Sequence, residues 1–536
     1  MAEKVIRNNE SIVPFLGERL NFIRGLDPMG MQNTSDATFS LLLPGLNNVT
    51  NRIRYYSFYC WLLDVYSKRN GSTDPNEQNK FVRRAEFTIA LASFYLKDGF
   101  SGIPGSQYST QEIEQKGLTI HHLQESTFKP DGTTRGTYWT YPTGAFGQYY
   151  FGSLRSIGII TEKEHHPGIY IRINKRDDTT VSGEELANAF DSNISSAAKE
   201  LFLAIIERGS VTENELKSLL PDFTLTRVPE DTEEQQLLIK LLVQKDYPLR
   251  IEEEPSTYRK QTIKHLLHYL NTFDEEAFSD RIFVYYCYYS KGKFGDTNDD
   301  CLLGWYYYQF NEFWHYANTS VLNGTLAYLQ DNVGPRWMPI HQLVEEITDA
   351  VIQFYYNEKI VSNDNDHLET VLQKVSGTDE YEYFEKSSNS KAIEKVANAF
   401  LLMFTLFESN KDELIKLKEF AENNEVAKDG EGTGYFITQF IAKKELAIRK
   451  FIYDYLHVNV IYRHQYVAFR KIRGGIQSTQ KFIIEDLHIR YLGNFEATYT
   501  GPRVGNLIGF LIDLDVLTPE FELTDTGQNL LNRVNE

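Results

Sequence analysis

The chain has 536 residues, 41% hydrophobic and 24% charged, a balance that suits a folded protein of about three or four domains and excludes wholesale disorder, collagen-like repeats and coiled-coil rods. Lys plus Arg total 55 against 74 Asp plus Glu, and the resulting net charge of -19 argues against a nucleic-acid coat or a polybasic membrane binder. Any nucleic-acid contact must therefore be local. With 34 Tyr, 34 Phe and 5 Trp, the composition favours many half-buried packing surfaces with polar tips.

The amino-terminal MAEKVIRNNESIVPF carries neither an apolar core nor a cleavage signal, and no uncharged apolar run of about 18 residues occurs, so a cytosolic protein without a membrane anchor is expected. After the Pro44-Gly45 turn, residues 48–66 (NVTNRIRYYSFYCWLLDVY) are apolar around most of a helical circumference, which predicts a helix buried between other elements, capped by Asn48 or Thr50. Arg52 and Arg54 stand at its entrance. Two residues apart on a helix, they point to opposite sides, so at least one guanidinium is expected to be enclosed in an ion pair, with Asp27 and Asp36 as candidate partners and a phosphate pocket as the lesser alternative.

Residues 143–161 (TGAFGQYYFGSLRSIGIIT) align without a gap to residues 500–518 (TGPRVGNLIGFLIDLDVLT), with identities at Thr143/Thr500, Gly144/Gly501, Gly152/Gly509, Leu154/Leu511 and Thr161/Thr518. Each block is followed by a short strand signal and a capped helix: IYIRIN and then Ser182-Gly-Glu-Glu185 in the first, PEFEL and then Thr524-Asp-Thr-Gly-Gln528 in the second. Helix, turn, hairpin and closing helix is the order of a winged-helix unit, so two winged-helix-like modules are expected. Each has a single basic candidate for DNA, Arg155 or Arg503, and Asp513 and Asp515 end the second helix, which favours protein contact for the carboxy-terminal copy.

Between the copies, Thr212-x-x-Glu215 and Thr232-x-x-Gln235 predict helix starts, and similar patterns recur from Ser256, Cys301, Pro339, Ser390 and Gly434. Acidic, turn-rich stretches at 228–234, 252–256, 376–390 and 422–433 read as loops or linkers. Chemistry-bearing motifs are sparse: no G-x-x-x-x-G-K-[ST], H-E-x-x-H, G-x-S-x-G or H-R-D set occurs. Cys60, Cys287 and Cys301 fit neither a disulfide framework nor a zinc site, and the adjacent pairs His121-His122 and His165-His166 lack ligand spacing. Asp296, Asp299 and Asp300 read as a solvated acidic turn rather than a calcium loop, and Glu485-Asp486 after an apolar strand is a weak nuclease signal. No cofactor and no metal are expected.

One region reverses the charge of the whole. Between Lys443 and Lys481 there are nine Lys or Arg against Glu445 and Asp454, a local balance of +7. At helical spacing Arg463, Tyr466, Arg470 and Arg473 form one cationic stripe with an aromatic inside it, and Lys471 adjoins it. Such a stripe tracks a phosphate backbone, with Tyr466 stacking on a base. The alternatives are docking against protein, including an acidic surface of the same chain, and plain solvation.

The block Pro44-Gly45, six residues, then Arg52-x-Arg54-Tyr55-Tyr56 with Trp61 downstream resembles an uncharacterised bacterial family with a P-G-x6-R-x-R-Y-[FY] signature, encoded among anti-phage defence genes. The resemblance covers about the first 70 residues and departs from the family at Cys60, where Pro is frequent. It implies a bacterial setting and a multi-gene defence system, and it implies no catalytic residue.

The expectation is a mainly α, multidomain protein: a helical domain at 1–135, winged-helix-like modules at 136–192 and 485–536, a central helical region at 193–440, and a basic helix and connector at 441–484. Its expected work is that of a non-catalytic interaction subunit of a defence complex, bridging an ATPase or nuclease partner and DNA or RNA. The rival readings are a kleisin-like or accessory subunit of an SMC-type ATPase complex, a metal-dependent nuclease and a transcriptional regulator.

Overall fold

The computed structural model describes residues 21–22, 27–96, 101–117, 119–176, 179–245, 256–273, 280–294, 297–363, 365–427, 438, 440–472, 477–497, 499 and 501–535. The chain is mainly helical, with only short strands among the described residues. It divides into two compact units: residues 1–38 with 306–500, and residues 39–305 with 501–536. One chain boundary falls inside the helix Gln32–Leu42 and another inside the helix Asp300–Asn332. The predicted serial segment 1–135 thus contributes to both units.

The unit built on residues 39–305 and 501–536 is organised by the helix Arg54–Arg69, buried continuously from Arg54 to Tyr66. The expected helix over 48–66 begins six residues later, and neither Asn48 nor Thr50 caps it. The reason is local: the Asn47 side chain accepts from the backbone N–H groups of Val49 and Thr50, both at 2.8 Å, which holds residues 47–50 in a turn that competes with helix. Elsewhere the capping signals coincide with helix starts. Ser182 and Thr212 form full capping boxes with Glu185 and Glu215, and Thr232 accepts from the Gln235 N–H.

In the other unit the helices Ile340–Asn357, Leu368–Val375, Glu380–Asn389 and Ala392–Asn410 pack with the continuation of Asp300–Asn332. The loop expected over 376–390 is mostly the helix Glu380–Asn389, started by Asp379 accepting from the Tyr381 N–H at 2.9 Å. An antiparallel hairpin, Phe482–Glu485 with His488–Tyr491, gains Met338–Pro339 as a third strand, and Asp486 and Leu487 make its turn at positive φ. The acidic pair Glu485-Asp486 is exposed at this turn. The helix expected from Gly434, the loop residues 252–255 and 428–433, and Asp296 lie outside the described residues.

The internal sequence repeat is a repeat of structure. In the first copy the helix Phe151–Ser156 ends where the Ile159 N–H bonds to the Leu154 carbonyl at 3.0 Å, with Gly158 in the left-handed region; in the second, Val504–Asp513 ends where Val516 N–H bonds to Leu511 O at 2.8 Å, with Asp515 at φ 54°. An antiparallel pairing follows in both, Ile160–Glu162 with Tyr170–Arg172 and the single bridge Leu517 to Leu523, and then the closing helices Gly183–Ser192 and Asp525–Asn535. Each closing helix carries a glycine against the preceding turn: a Cβ at Gly183 would stand 2.2 Å from Ile159 O, and one at Gly527 2.2 Å from Val516 O. Those carbonyls belong to aligned residues.

This close approach generates a test. Gly183→Ala and Gly527→Ala each force the closing helix off its turn and are expected to cost about 1–3 kcal/mol in urea unfolding. Gly152→Ala, where a Cβ meets nothing within 4 Å, is expected to leave stability unchanged or raise it by up to about 1 kcal/mol.

Candidate interaction ridge and cationic cleft

The basic segment runs through three helical stretches of the unit of residues 1–38 with 306–500: Ile448–Asp454, a wide π-type stretch Tyr455–Tyr462, and Arg463–Arg470. The helix stops at Arg470 with Lys471 as its cap, and Arg473 lies outside the described residues. Much of the local positive charge is met by the unit's own carboxylates. Lys444 lies 3.7 Å from Glu369, Arg449 donates to Asp349 at 2.6 Å, and Lys450 pairs with Asp454 at 2.5 Å.

The expected stripe divides in two. Arg463 and Lys471 are turned toward the loop at residues 27–30: Arg463 Nε donates to Met29 O at 2.7 Å, and Lys471 Nζ donates to Asp27 O at 2.6 Å and lies 3.9 Å from the Asp27 carboxylate. Between them on the same helix, buried His464 donates from Nδ1 to Pro28 O at 2.9 Å and accepts at Nε2 from the Lys481 N–H at 3.0 Å. One helix thus holds three successive loop carbonyls. Asp27, at φ 48°, accepts from Met31 N–H and faces His315 at 3.9 Å. Arg470 and Tyr466 instead face outward, with the guanidinium 5.5 Å from the ring centroid.

Arg463, Tyr466, Arg470 and Lys471 together line a cleft of about 580 Å³ with Gly30, Asn33, Thr34, Glu425 and Val426. Beside it runs a feature that charge counting missed. Val458, Tyr462, Tyr466 and Phe469 are 57%, 36%, 62% and 52% exposed, so four large apolar side chains stand in solvent within twelve residues. Their i, i+4, i+8 and i+11 spacing was legible as a face. That the face points outward was not, because the same pattern describes a core stripe.

Arg52 and Arg54 belong to the other unit. Arg52 donates to Asp513 at 2.5 Å and to the carbonyls of Ser101 and Thr226, while Arg54 meets both oxygens of Glu234 at 3.2 and 3.3 Å and the Thr224 carbonyl at 2.6 Å. The partners are Asp513 and Glu234, in place of the expected Asp27 and Asp36, which precede this unit's own chain. Sequence proximity misled, since both carboxylates arrive from more than a hundred residues away. Burial pushes the Asp513 carboxyl up to about 7 against the opposing pull of Arg52. Of the two expected DNA contacts, Arg503 lies 3.8 Å from the Phe39 ring centroid and donates to Leu46 O, and Arg155 is exposed.

Comparison with known proteins finds no match to a family model, a curated protein or a solved structure. Among the described residues no helix is long and apolar enough to cross a membrane.

Two tests follow from these placements. Glu234→Gln leaves a guanidinium buried without its counter-charge and is expected to lose about 3–5 kcal/mol, whereas Glu200→Gln, facing Arg69 at the surface, is expected to lose less than about 1 kcal/mol. Burial pushes His464 down to about 4 from its ordinary 6.5. The unfolded imidazole therefore binds its proton first, so His464 contributes full stability above pH 6.5 and loses it as pH falls toward 4. The expected loss is about 3 kcal/mol. Urea unfolding at pH 7 and pH 4.5, with His464→Gln as the reference, reads the difference.

Proposed function

We propose that the chain is a non-catalytic interaction subunit of a bacterial anti-phage defence complex, and that the Val458–Phe469 ridge docks its catalytic protein partner, an ATPase or a nuclease. One observation carries the docking face: Val458, Tyr462, Tyr466 and Phe469 stand exposed in a row beside Arg470. Tyr, Phe and Arg are residues that dominate protein interfaces, because a ring or a planar guanidinium buries much area at little entropic cost. The bacterial defence setting is supported by the Pro44–Tyr56 block, and the non-catalytic role by a sequence without a recognised catalytic set.

Nucleic-acid contact is the second reading, narrowed to Tyr466 and Arg470, a ring and a cation that present stacking and phosphate binding together. We read the two helix, hairpin and closing-helix copies as winged-helix-like modules used for packing and protein contact. Arg503 and Asp513 of the second copy are already engaged within their own unit.

The test is co-purification of the full chain with the products of neighbouring genes, followed by the variant Y462A/Y466A/F469A. The triple variant is expected to keep its melting temperature and lose at least about tenfold in partner affinity. In parallel, binding of single-stranded DNA and RNA 20-mers is measured by anisotropy from 50 to 300 mM salt. Docking predicts weak binding that Arg470→Ala leaves unchanged. Tight binding whose salt slope falls by about 0.7 in Arg470→Ala makes nucleic acid the ridge's ligand instead.

A further inference from the structure

A second cleft, of about 540 Å³, lies within the unit of residues 39–305 and 501–536 and differs from the first in the charge of its lining. Its walls are Tyr108, Tyr138, Trp139 and Tyr149, its polar groups are the side chains of Asn51, Ser106, Gln107, Gln111 and Thr137, and none of its lining residues is charged. A volume of this size accommodates a small organic ligand. Arg83 lies 4.8 Å from the centroid of buried Tyr138 and Lys116 Nζ 5.8 Å from that of Tyr108, so the stacking faces are assigned to Trp139 and Tyr149, which with the carboxamides suit a flat, uncharged, hydrogen-bonding ring.

The walls are fixed before any ligand arrives. The Tyr138 hydroxyl donates to buried Glu86 at 2.5 Å, Trp139 Nε1 donates to Gln148 at 2.9 Å, and the Trp139 and Tyr149 rings meet edge to face at 5.1 Å. The rim is equally constrained: Gly102 sits at φ 80°, and a Cβ there would stand 2.9 Å from the Asn51 Cβ, so glycine lets the loop close onto the Pro44–Arg52 segment. Gln107 and Gln111 follow one another by a single helical turn, with Gln107 exposed and Gln111 half-buried. Gln111 opens the π-type stretch Gln111–Gln115, and Tyr149 lies in another, Phe146–Tyr150. Such wide turns are rare and concentrate at functional sites.

We propose that this cleft is a receptor for an unstacked adenine base, which lies against the aromatic wall while a Gln107 or Gln111 carboxamide pairs with its adjacent donor and acceptor. The carboxamide presents one N–H donor and one carbonyl acceptor side by side, the pattern that matches N7 and the N6 amino group of adenine. Ring stacking supplies the remaining affinity. The base is carried either by a free nucleoside or by a single strand from which it is splayed. This inference stands independently of the docking ridge, which lies in the other unit and shares no residue with it.

The test uses the full chain with adenosine, cytidine and glucose, and with dA12 and dT12 oligonucleotides, by equilibrium dialysis or calorimetry. Adenosine or dA12 is expected to bind at least about tenfold tighter than cytidine or dT12, and the double variant Q107A/Q111A to reduce that binding at least about tenfold with its melting temperature unchanged. Binding of adenosine identifies a nucleoside source; binding of dA12 alone identifies a strand. Three results overturn the proposal: neither adenine ligand binds, glucose binds as well as adenosine, or Q107A/Q111A binds like the parent. Trp139→Phe, which keeps a stacking face, is expected to retain binding and so separates loss of the wall from loss of the pairing edge.

Discussion

Arg54 is carried into the interior by the helix Arg54–Arg69, and a guanidinium in that position must find acceptors for its N–H groups or be expelled; Arg83 and Arg259 find carbonyls, Arg54 a carboxylate. Glu234 supplies that carboxylate, and the requirement extends along the helix. Ser57 also donates to Glu234, Tyr59 donates to Glu86, Trp61 Nε1 donates to Asp191, and Asp64 accepts from Arg172. Each bond engages a different neighbouring element: the helices Glu233–Val243, Pro75–Ser93 and Gly183–Ser192, and the strand Tyr170–Arg172. A hydrogen bond adds only about 1 kcal/mol net, but a buried polar group left without one costs more, so these pairings fix register more than they add stability. Apolar packing alone tolerates sliding; this set of polar contacts does not.

Glu86 shows the same logic at one atom pair. Its carboxylate accepts from the hydroxyls of Tyr59 and Tyr138 and from the backbone N–H groups of Ala145 and Phe146. Burial pushes its pKa up while these four donors pull it down. The same carboxylate therefore ties the hub helix, the start of the first repeat copy and a wall of the uncharged cleft. The Pro44–Arg54 segment is placed in a comparable way by both copies. Asn47 Nδ2 donates to Tyr149 O and Ser153 Oγ of the first, and Asn506 Nδ2 of the second donates to Thr50 O and Asn51 Oδ1. Tyr56 has ring contacts to Tyr150 of one copy and Phe510 of the other. Pro44-Gly45 and Arg52 to Tyr56 are thus part of a structural joint.

What the residues disclosed in advance depended on how local the physics was. The mainly helical class and the capped starts at Ser182, Thr212 and Thr232 rest on contacts within a few residues, the repeat at 143–161 and 500–518 on an ungapped match of the chain with itself, and all were legible. Five identities sufficed for the repeat because few of its positions are constrained: the left-handed cap takes Gly158 or Asp515, and the close approach takes Gly183 or Gly527. The start of the hub helix was misplaced because a side chain at Asn47 competes for the backbone. The partners of Arg52 and Arg54, and the inward turn of Arg463 and Lys471 toward loop carbonyls, depend on residues far away in sequence. No periodicity encodes them.

Net charge alone says little about which groups a basic segment contacts, for a physical reason. A +7 segment in a chain of net -19 has an excess of carboxylates within reach, and Lys444, Arg449 and Lys450 find them. These pairs are largely solvent-exposed and each is worth less than about 1 kcal/mol, so they lower the local positive potential without locking the cations in place. Two aromatic sets reach the surface: exposed Tyr462, Tyr466 and Phe469 beside Arg470 on one unit, and half-buried Trp139 and Tyr149 near the glutamines on the other. Both sets border wide helical turns, where a stretch such as Tyr455–Tyr462 shifts the face that the following helix presents. Such a turn gives up regular backbone bonding, and buried Tyr455, Leu456, Val460 and Ile461 supply the packing that holds the irregular stretch Tyr455–Tyr462 in place.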